Sequence, residues 1–493
     1  MMMNTVSNTT LVQRLFGSAA PCPSLFGFAF WWAWWDVFRV SDTHLIPSAV
    51  AVDAETERIC IELGFFIAAV VLAIAARRGF SLFDKGLFLK CITAGLVVCM
   101  GLFYAPLVGA ERVAPLLLQF LMGVGGAVLF FAWFELYSVC GVPHPVAIVA
   151  CCLLVNAVVL VAVLLAHFFL LPLPIAAMHA ALPIASCAML MKGIAGQRSS
   201  HERFLAQQVK IVFLPQKLFI AVFVFGFVFG LVLNFTPGIS QGPGEDVHYP
   251  LFLEIAGIAL GGILFLLLGR AFSSTPEKAF SVRWAIVPFI VFSLLSIPVV
   301  GVVNPFVSKA FLWAGYEYLD LMMMAIYIRI ARELHTSPLM VNAQGQAADV
   351  GGIVLGMLLG AAMNAAALSQ MGSYLSGIVM AAVMAVIIVA FYIMTDRNIV
   401  TIWGLQKKSP KARDEERKAA RVASFAQSYG LTPRERDVLA ELVEQRRPEL
   451  IAEKLYISLG TVRSHIARIY AKTGVHSQID LVKKYEEESQ RVS

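Results

Sequence analysis

The stretch ISLGTVRSHIARIYAKTG, Ile457–Gly474, decides what kind of molecule this is, because mostly apolar chain precedes the charged tail that contains it. Ser458 is a natural N-cap and Gly474 a natural C-cap, which predicts a helix between them. Val462, Ile466 and Ile469 recur at a spacing that buries one side of that helix. A turn of about 100° per residue gathers Thr461, His465, Arg468 and Lys472 on another side, with Ser464 beside them. Phosphates want cationic donors, base edges want a hydroxyl or a guanidinium, and small residues such as Ser464 and Ala471 let a helix sit deep in the major groove. Arg463 lies off this stripe and more naturally reaches a phosphate. The stripe therefore predicts contact with double-stranded DNA.

Working outward, LTPRERDVLAELV begins an earlier helix, with Thr432 as N-cap, Pro433 in the first turn and Glu435 closing a capping box. Its apolar stripe is Val438, Leu439 and Leu442. PELIAEKL reads as a second short helix with Ile451 and Leu455 inward, and Ser477 opens a fourth, SQIDLVKKYEEE, with a small apolar face at Ile479, Leu481 and Val482.

In order, the chain presents Leu431-Thr-Pro-Arg-Glu-Arg-x-Val-Leu439, then Ile451-Ala-x-x-Leu-x-Ile-Ser-x-x-Thr-Val-Arg-x-His465, then Lys472-x-Gly-Val475. This resembles the LuxR/NarL-type helix-turn-helix domain. The resemblance implies a four-helix domain that binds DNA as a homodimer, with the helix from Ser458 in the major groove and the last helix at the dimer contact. It also implies that Thr461, Val462, Arg463 and His465 touch DNA, although the spacing of Val462 places it inward. The chain departs from the pattern at Gln445, where the family has Gly, at Arg447, where it has a Ser or Thr cap, at Leu450, where it has Glu, and at Gln478, where Arg is common. A lost cap costs about 1 kcal/mol, partly offset here by Pro448 in the first turn.

The rest of the chain belongs to another physical class. Of 493 residues 59% are hydrophobic and only 14% charged, with a mean hydropathy of +0.77. Soluble domains carry about a quarter charged residues. Residues 405–493 hold 18 Lys/Arg against 13 Asp/Glu, so most of the net charge of +6 sits in the tail. A helix needs about 20 apolar residues to cross a bilayer, and lipid admits only helices for a chain of this kind. About twelve such spans lie between residues 23 and 395. The expected fold is all-α: a polytopic bundle over 23–395 with halves 23–192 and 216–395 around a loop at 193–215, a charged helical linker at 396–430, and the helix-turn-helix domain at 431–486. Residues 1–22 form a short N-terminal segment without the basic start and apolar core of a cleaved signal peptide.

Lys and Arg accumulate on the cytoplasmic side of a membrane. They collect here at Arg77, Arg78 and Lys85; Lys192, Arg198, Arg203 and Lys210; Arg270 and Lys278; Arg329 and Arg332. The opposite loops carry acids such as Asp42, Asp53, Glu55, Glu57, Glu245 and Asp246. Both termini are then cytoplasmic, in the inner membrane of a bacterium. Two six-helix halves about a long loop resemble the major facilitator superfamily. Of that family's Gly-x-x-x-Asp-Arg-x-Gly-Arg-Arg loop, the segment AARRGFSLFDKG keeps Arg77 and Gly79 without the acid ahead of them.

Ionisable side chains at membrane depth are costly unless they are paired or face a water-filled cavity. Asp36 and Arg39 sit three apart on one helix face. Lys309, Trp313, Glu317 and Asp320 form a polar stripe along another helix, and Glu135, Glu62, Glu254 and Asp349 lie in other spans. With Trp31 and Trp35, the candidate ligand site comprises Asp36, Arg39, Glu135, Lys309, Trp313, Glu317 and Asp320. Two readings stand for Trp31, Trp32, Trp34 and Trp35: an interfacial belt or a pocket wall. His167 and His179 read as satisfied interior residues. The eight cysteines fall inside or beside apolar runs without metal or disulfide spacing. Neither a nucleophile–base pair nor a metal set appears, so the chain reads as a non-enzyme without a cofactor. The resulting expectation is a membrane-embedded one-component transcriptional regulator: an unknown small-molecule ligand binds the bundle in the lipid bilayer, and the tail binds an operator. The rival is a solute transporter with an attached regulatory domain.

Overall fold

The change in composition near residue 400 separates the chain into two units, Met1–Gly404 and Leu405–Ser493. In the computed structural model the described residues are 22–40, 54–105, 114–140, 145–169, 172–207, 213–234, 248–269, 286–296, 305–365, 372–389, 421–422, 424–426, 428–444 and 447–491. Residues 1–21, Lys210, Arg270, Lys278, residues 396–420 of the linker expected at 396–430 and Gln445 lie outside them, as do the side chains of Arg39 and His167.

Among the described residues every regular element is helical. After a short 3-10 turn at Pro23–Gly27, the first half holds α1 (Phe28–Val40), α2 (Ala54–Arg77), α3 (Gly86–Phe103), α4 (Pro115–Val139), α5 (Pro145–Phe169) and α6 (Pro172–Gly196). A short surface helix, α7 (Arg198–Gln207), lies in the connecting loop. The second half holds α8 (Gln216–Asn234), α9 (His248–Gly269), α10 (Ile286–Ser296), α11 (Pro305–Glu333), α12 (Pro338–Ala365) and α13 (Gly372–Ile388). Proline opens five of these helices, where its missing N–H removes no hydrogen bond. Among the described residues, seven helices are long and apolar enough to cross a membrane by length and composition, and two apolar segments, Phe252–Leu267 and Gly377–Ile388, are shorter.

Between apolar helices in lipid the hydrophobic effect is nearly silent, so close backbone approach through small residues must supply the packing. Gly64 of α2 lies against the carbonyl of Phe120 on α4, and Gly123 of α4 against that of Ile61. In the second half, Gly226 and Gly230 of α8 meet Asp349 and Ile353, while Gly352 and Gly356 of α12 meet Phe223 and Phe227. A Cβ at any of these would overlap a backbone oxygen. Helices α2 and α12 then pack across the halves, as do α5 and α9. Arg332, near the end of α11, donates to the carbonyls of Tyr137, Ser138 and Cys140 at 2.8, 2.8 and 2.7 Å. It thereby caps the end of α4 from the other half.

The second unit contains α14 (Pro433–Val443), α15 (Pro448–Leu455), α16 (Leu459–Thr473) and α17 (Gln478–Arg491). Val438, Leu439, Leu442, Ile451, Val462, Ile469, Leu481 and Tyr485 form its core. Val422, Phe425 and Ala426 join them, with the Phe425 ring edge-on to Tyr485 at 5.6 Å. The packed unit therefore reaches about ten residues upstream of the expected boundary at 431.

Replacing Gly230 or Gly356 by Ala is expected to destabilise the bundle by about 1–3 kcal/mol through overpacking. Gly95→Ala, where a Cβ meets nothing within 4 Å, should be neutral. Thermal unfolding of the detergent-solubilised protein checks the contrast.

Candidate functional site

In the tail, the capping box at α14 is complete: Thr432 Oγ1 accepts from the Glu435 N–H at 3.3 Å, and Glu435 Oε2 accepts from the Thr432 N–H at 2.9 Å. Helix α15 begins at Arg447 with no side-chain cap, as its sequence implies, and with Pro448 in the first turn. Tyr456 takes a left-handed conformation (φ 54°) that ends α15 and turns the chain into α16. Ser458 Oγ accepts from the Thr461 N–H at 3.1 Å, and Gly474, at φ 68°, closes the C-terminus by donating to Tyr470 O at 2.9 Å. Ser477 starts α17 by accepting from the Asp480 N–H at 3.1 Å.

Along α16, Val462 and Ile469 are fully buried. Thr461, Arg463, Ser464 and Arg468 are exposed, and His465 is half-buried beside them. The Nδ1 of His465 is buried and has no hydrogen-bond partner among the described residues. Arg463 is 3.9 Å from Glu449 at the surface, a pair worth little in water. Lys472 is used differently from the expectation. Its ammonium donates to Glu435 Oε2 at 2.7 Å and to Gly430 O at 3.1 Å, so it ties the end of α16 to the start of α14 rather than projecting from the stripe. Gln478 likewise donates to Leu442 O at 2.9 Å.

One helix thus presents hydroxyl, imidazole and guanidinium groups outward while its other side anchors a four-helix core. Residues 429–485 match the family model described as bacterial regulatory proteins, luxR family. The tail is a LuxR-family helix-turn-helix domain. DNA binding belongs to such a domain, and with it regulation of transcription. No curated protein matches the chain.

In the bundle, the aromatic-belt reading of the tryptophans fails, because Trp31, Trp32, Trp34 and Trp35 are all buried between helices. Trp31 stacks on Trp35 at 5.6 Å and 12°, and its Nε1 donates to Gly126 O at 2.9 Å. Trp31 and Trp35 line a cavity of about 30 Å³ between the halves, together with Glu62, Phe65, Phe130, Tyr316, Glu317, Asp320 and Gln346. A smaller lobe of about 10 Å³ shares Tyr316, Asp320 and Gln346 and adds Tyr327 and Asp349. Tyr316 donates to Asp349 Oδ2 at 2.6 Å.

Asp36, Glu135, Lys309 and Trp313 do not line either lobe. Asp36 accepts from Asn156 Nδ2 at 2.6 Å inside the first half. Glu135 Oε2 accepts from the N–H groups of Leu82 and Phe83 at 2.7 and 3.0 Å and lies 3.3 Å from Ser81 Oγ. It therefore pins the loop that follows α2. Lys309 is 3.9 Å from Glu254, and Trp313 packs edge-on to Phe229 at 5.3 Å. The stripe on α11 is real, but at 1.5 Å per residue Lys309 lies about 16 Å along the axis from Asp320, too far to share one small cavity. Gln346 and Tyr316 were invisible to a search for charges, since a buried amide and phenol carry no signal in the sequence. His179, as expected, is a satisfied interior residue: its Nδ1 is 2.6 Å from Tyr104 Oη and its Nε2 is 2.9 Å from Trp34 O.

The fold of the bundle is similar to that of solved membrane transporters. A bacterial homologue of the iron transporter ferroportin, in an outward-facing state with soaked iron, is similar at 12% identity over 77% of this chain and 97% of that one, with a TM-score of 0.52. The major facilitator transporter FucP in its outward conformation is 14% identical over 75% and 97%, with a TM-score of 0.46. The chain is a multi-pass membrane protein carrying a LuxR-family domain.

The Lys472 ammonium, together with the Thr432 N–H, holds the Glu435 carboxyl below the usual carboxylate range. A depressed carboxyl stabilises the folded form above its unfolded pKa, about 4.3, and that contribution disappears as pH falls through the folded value. Denaturant titration of residues 405–493 should therefore lose stability on acidification below about pH 4.5. Glu435→Gln should flatten that acid limb while lowering stability at pH 7.

Proposed function

We propose that this protein is a one-component regulator of transcription, in which a small molecule in the cavity between the halves sets the DNA affinity of the tail. The carrying observation is the composition of the cavity wall, which draws Trp31, Trp35 and Glu62 from the first half and Glu317, Asp320 and Gln346 from the second. A ligand held by both halves changes their mutual position, and a differential affinity of that kind is what shifts an equilibrium between two states. Coupling of about 1–3 kcal/mol would change operator occupancy about 5- to 150-fold. The basic loops support cytoplasmic termini in a bacterial inner membrane, so the tail would meet DNA at the membrane surface.

On the DNA side, Arg463, Arg468, Thr461, Ser464 and His465 form the groove-facing set, with the tail acting as a homodimer. Lys472 supports them by fixing the end of α16. Arg468→Ala should weaken binding to a duplex selected by the tail by about 1–3 kcal/mol. Where Arg463 holds a phosphate, Arg463→Ala should lower the salt slope by about 1. Unchanged affinity and unchanged salt slope in the double variant would place the interface elsewhere.

The transporter-like fold favours one alternative, a transporter that reports its own flux. Reconstituted vesicles distinguish the two. A compound that binds and shifts operator affinity without crossing the membrane supports the sensor, and flux abolished by Glu317→Gln supports the alternative.

A further inference from the structure

We propose that the seam where α3 begins and α6 ends binds an anionic phospholipid, with its phosphate held by Lys85, Lys90 and Lys192 and an acyl chain along Leu87, Phe88 and Ile184. The two helices run antiparallel and meet closely there: Cys187 Sγ lies 4.0 Å from Leu89 O, and a Cβ at Gly86 would lie 3.5 Å from the Met191 sulfur. All three lysines are exposed, and none makes an ion pair or a side-chain hydrogen bond among the described residues. Asp84, beside Lys85 in the chain, approaches His201 Nδ1 at 4.0 Å instead, and Glu202 of α7 is exposed without an ion pair among the described residues.

The antiparallel course makes these cations converge. A side chain leans toward the N-terminus of its own helix. On α3 that direction is toward Lys85, and on α6 it is toward the middle of the span. With Gly86 level with Met191, Lys90 and Lys192 are about 7–8 Å apart along the axis at 1.5 Å per residue, and their opposed lean brings the ammonium groups toward one level. A turn of about 100° per residue sets both on the same outer flank of the seam, because one helix ascends as the other descends.

A lysine in a loop needs no partner beyond water, but Lys90 stands inside the apolar span Gly86–Phe103. A charge there is costly unless its stem carries it to the interface, where phosphates are the available anions. Beside the lysines, Leu87 is 78%, Phe88 42% and Ile184 50% exposed. Such an apolar strip suits an acyl chain and offers nothing to a soluble phosphate or a nucleic-acid backbone. The loop leading into the site is held from two sides, since the Phe83 ring stacks on His201 of α7 at 3.9 Å and the Phe83 N–H donates to Glu135 of α4 at 3.0 Å. A bound headgroup would meet a fixed surface.

Native mass spectrometry of the full-length protein in detergent, titrated with phosphatidylglycerol or phosphatidylcholine of the same acyl chains, tests the site. The expected result is one retained phosphatidylglycerol, bound about tenfold or more tighter than phosphatidylcholine and not displaced by glycerol 3-phosphate. Lys85→Gln and Lys90→Gln should each weaken phosphatidylglycerol about fivefold. Unchanged retention of phosphatidylcholine reports that these variants are folded, and Lys90→Arg should keep the site. Lys217→Gln, which removes an exposed, unpaired charge at the start of α8, should have no effect. Equal retention of the two lipids, displacement by glycerol 3-phosphate, loss of the lipid in Lys90→Arg, or an effect of Lys217→Gln as large as that of Lys90→Gln each overturns the proposal. So does a double Lys85→Gln, Lys90→Gln variant that keeps phosphatidylglycerol yet binds unrelated duplex DNA more weakly, because the patch would then be a nucleic-acid surface.

Discussion

A bilayer offers no hydrogen bonds, so a polar group carried into the bundle is costly unless it finds a partner inside the protein. That constraint organises the first unit. Asp36 takes Asn156, Glu135 takes the backbone of the loop after α2, Lys309 approaches Glu254, and Arg332 takes three carbonyls at the end of α4. Each pairing fixes one helix against another where apolar contact alone would let them slide. The carboxylates at the cavity combine charge with open space.

The halves meet differently at their two ends. Glycine contacts within each half bring backbones together. Across the halves, Arg332 holds the end of α4 through polar contacts that a modest movement can break.

Water solves the polar problem for the second unit, and its architecture rests on caps and a small core. Glu435 does double duty there, closing the cap of α14 and receiving Lys472 from the end of α16. Helix α16 is therefore oriented by an ion pair at one end and by Val462 and Ile469 beneath it. Phe425 and Val422 tie the chain arriving from the linker side into the same core, against Tyr485 of α17. Movement reaching that segment would bear first on the last helix, and only through the core on α16.

The sequence by itself determined the helices, because span length, caps and first-turn prolines are local properties. Thr432, Ser458 and Gly474 announced the tail's boundaries, and the ordered motif through His465 announced its family. It also determined that Glu317 and Asp320 needed a polar setting, since mid-span charges are costly anywhere in lipid. Only the tertiary structure decided which charges share that setting. Asp36, Glu135 and Lys309 looked alike in the sequence, yet each is drawn to a partner distant along the chain, while Tyr316 and Gln346 enter the cavity without having looked special. Lys472 makes the same point in the tail: periodicity put it on the DNA stripe, but a carboxylate 37 positions earlier in the chain lies 2.7 Å from its ammonium, and that proximity exists only once the four helices have packed.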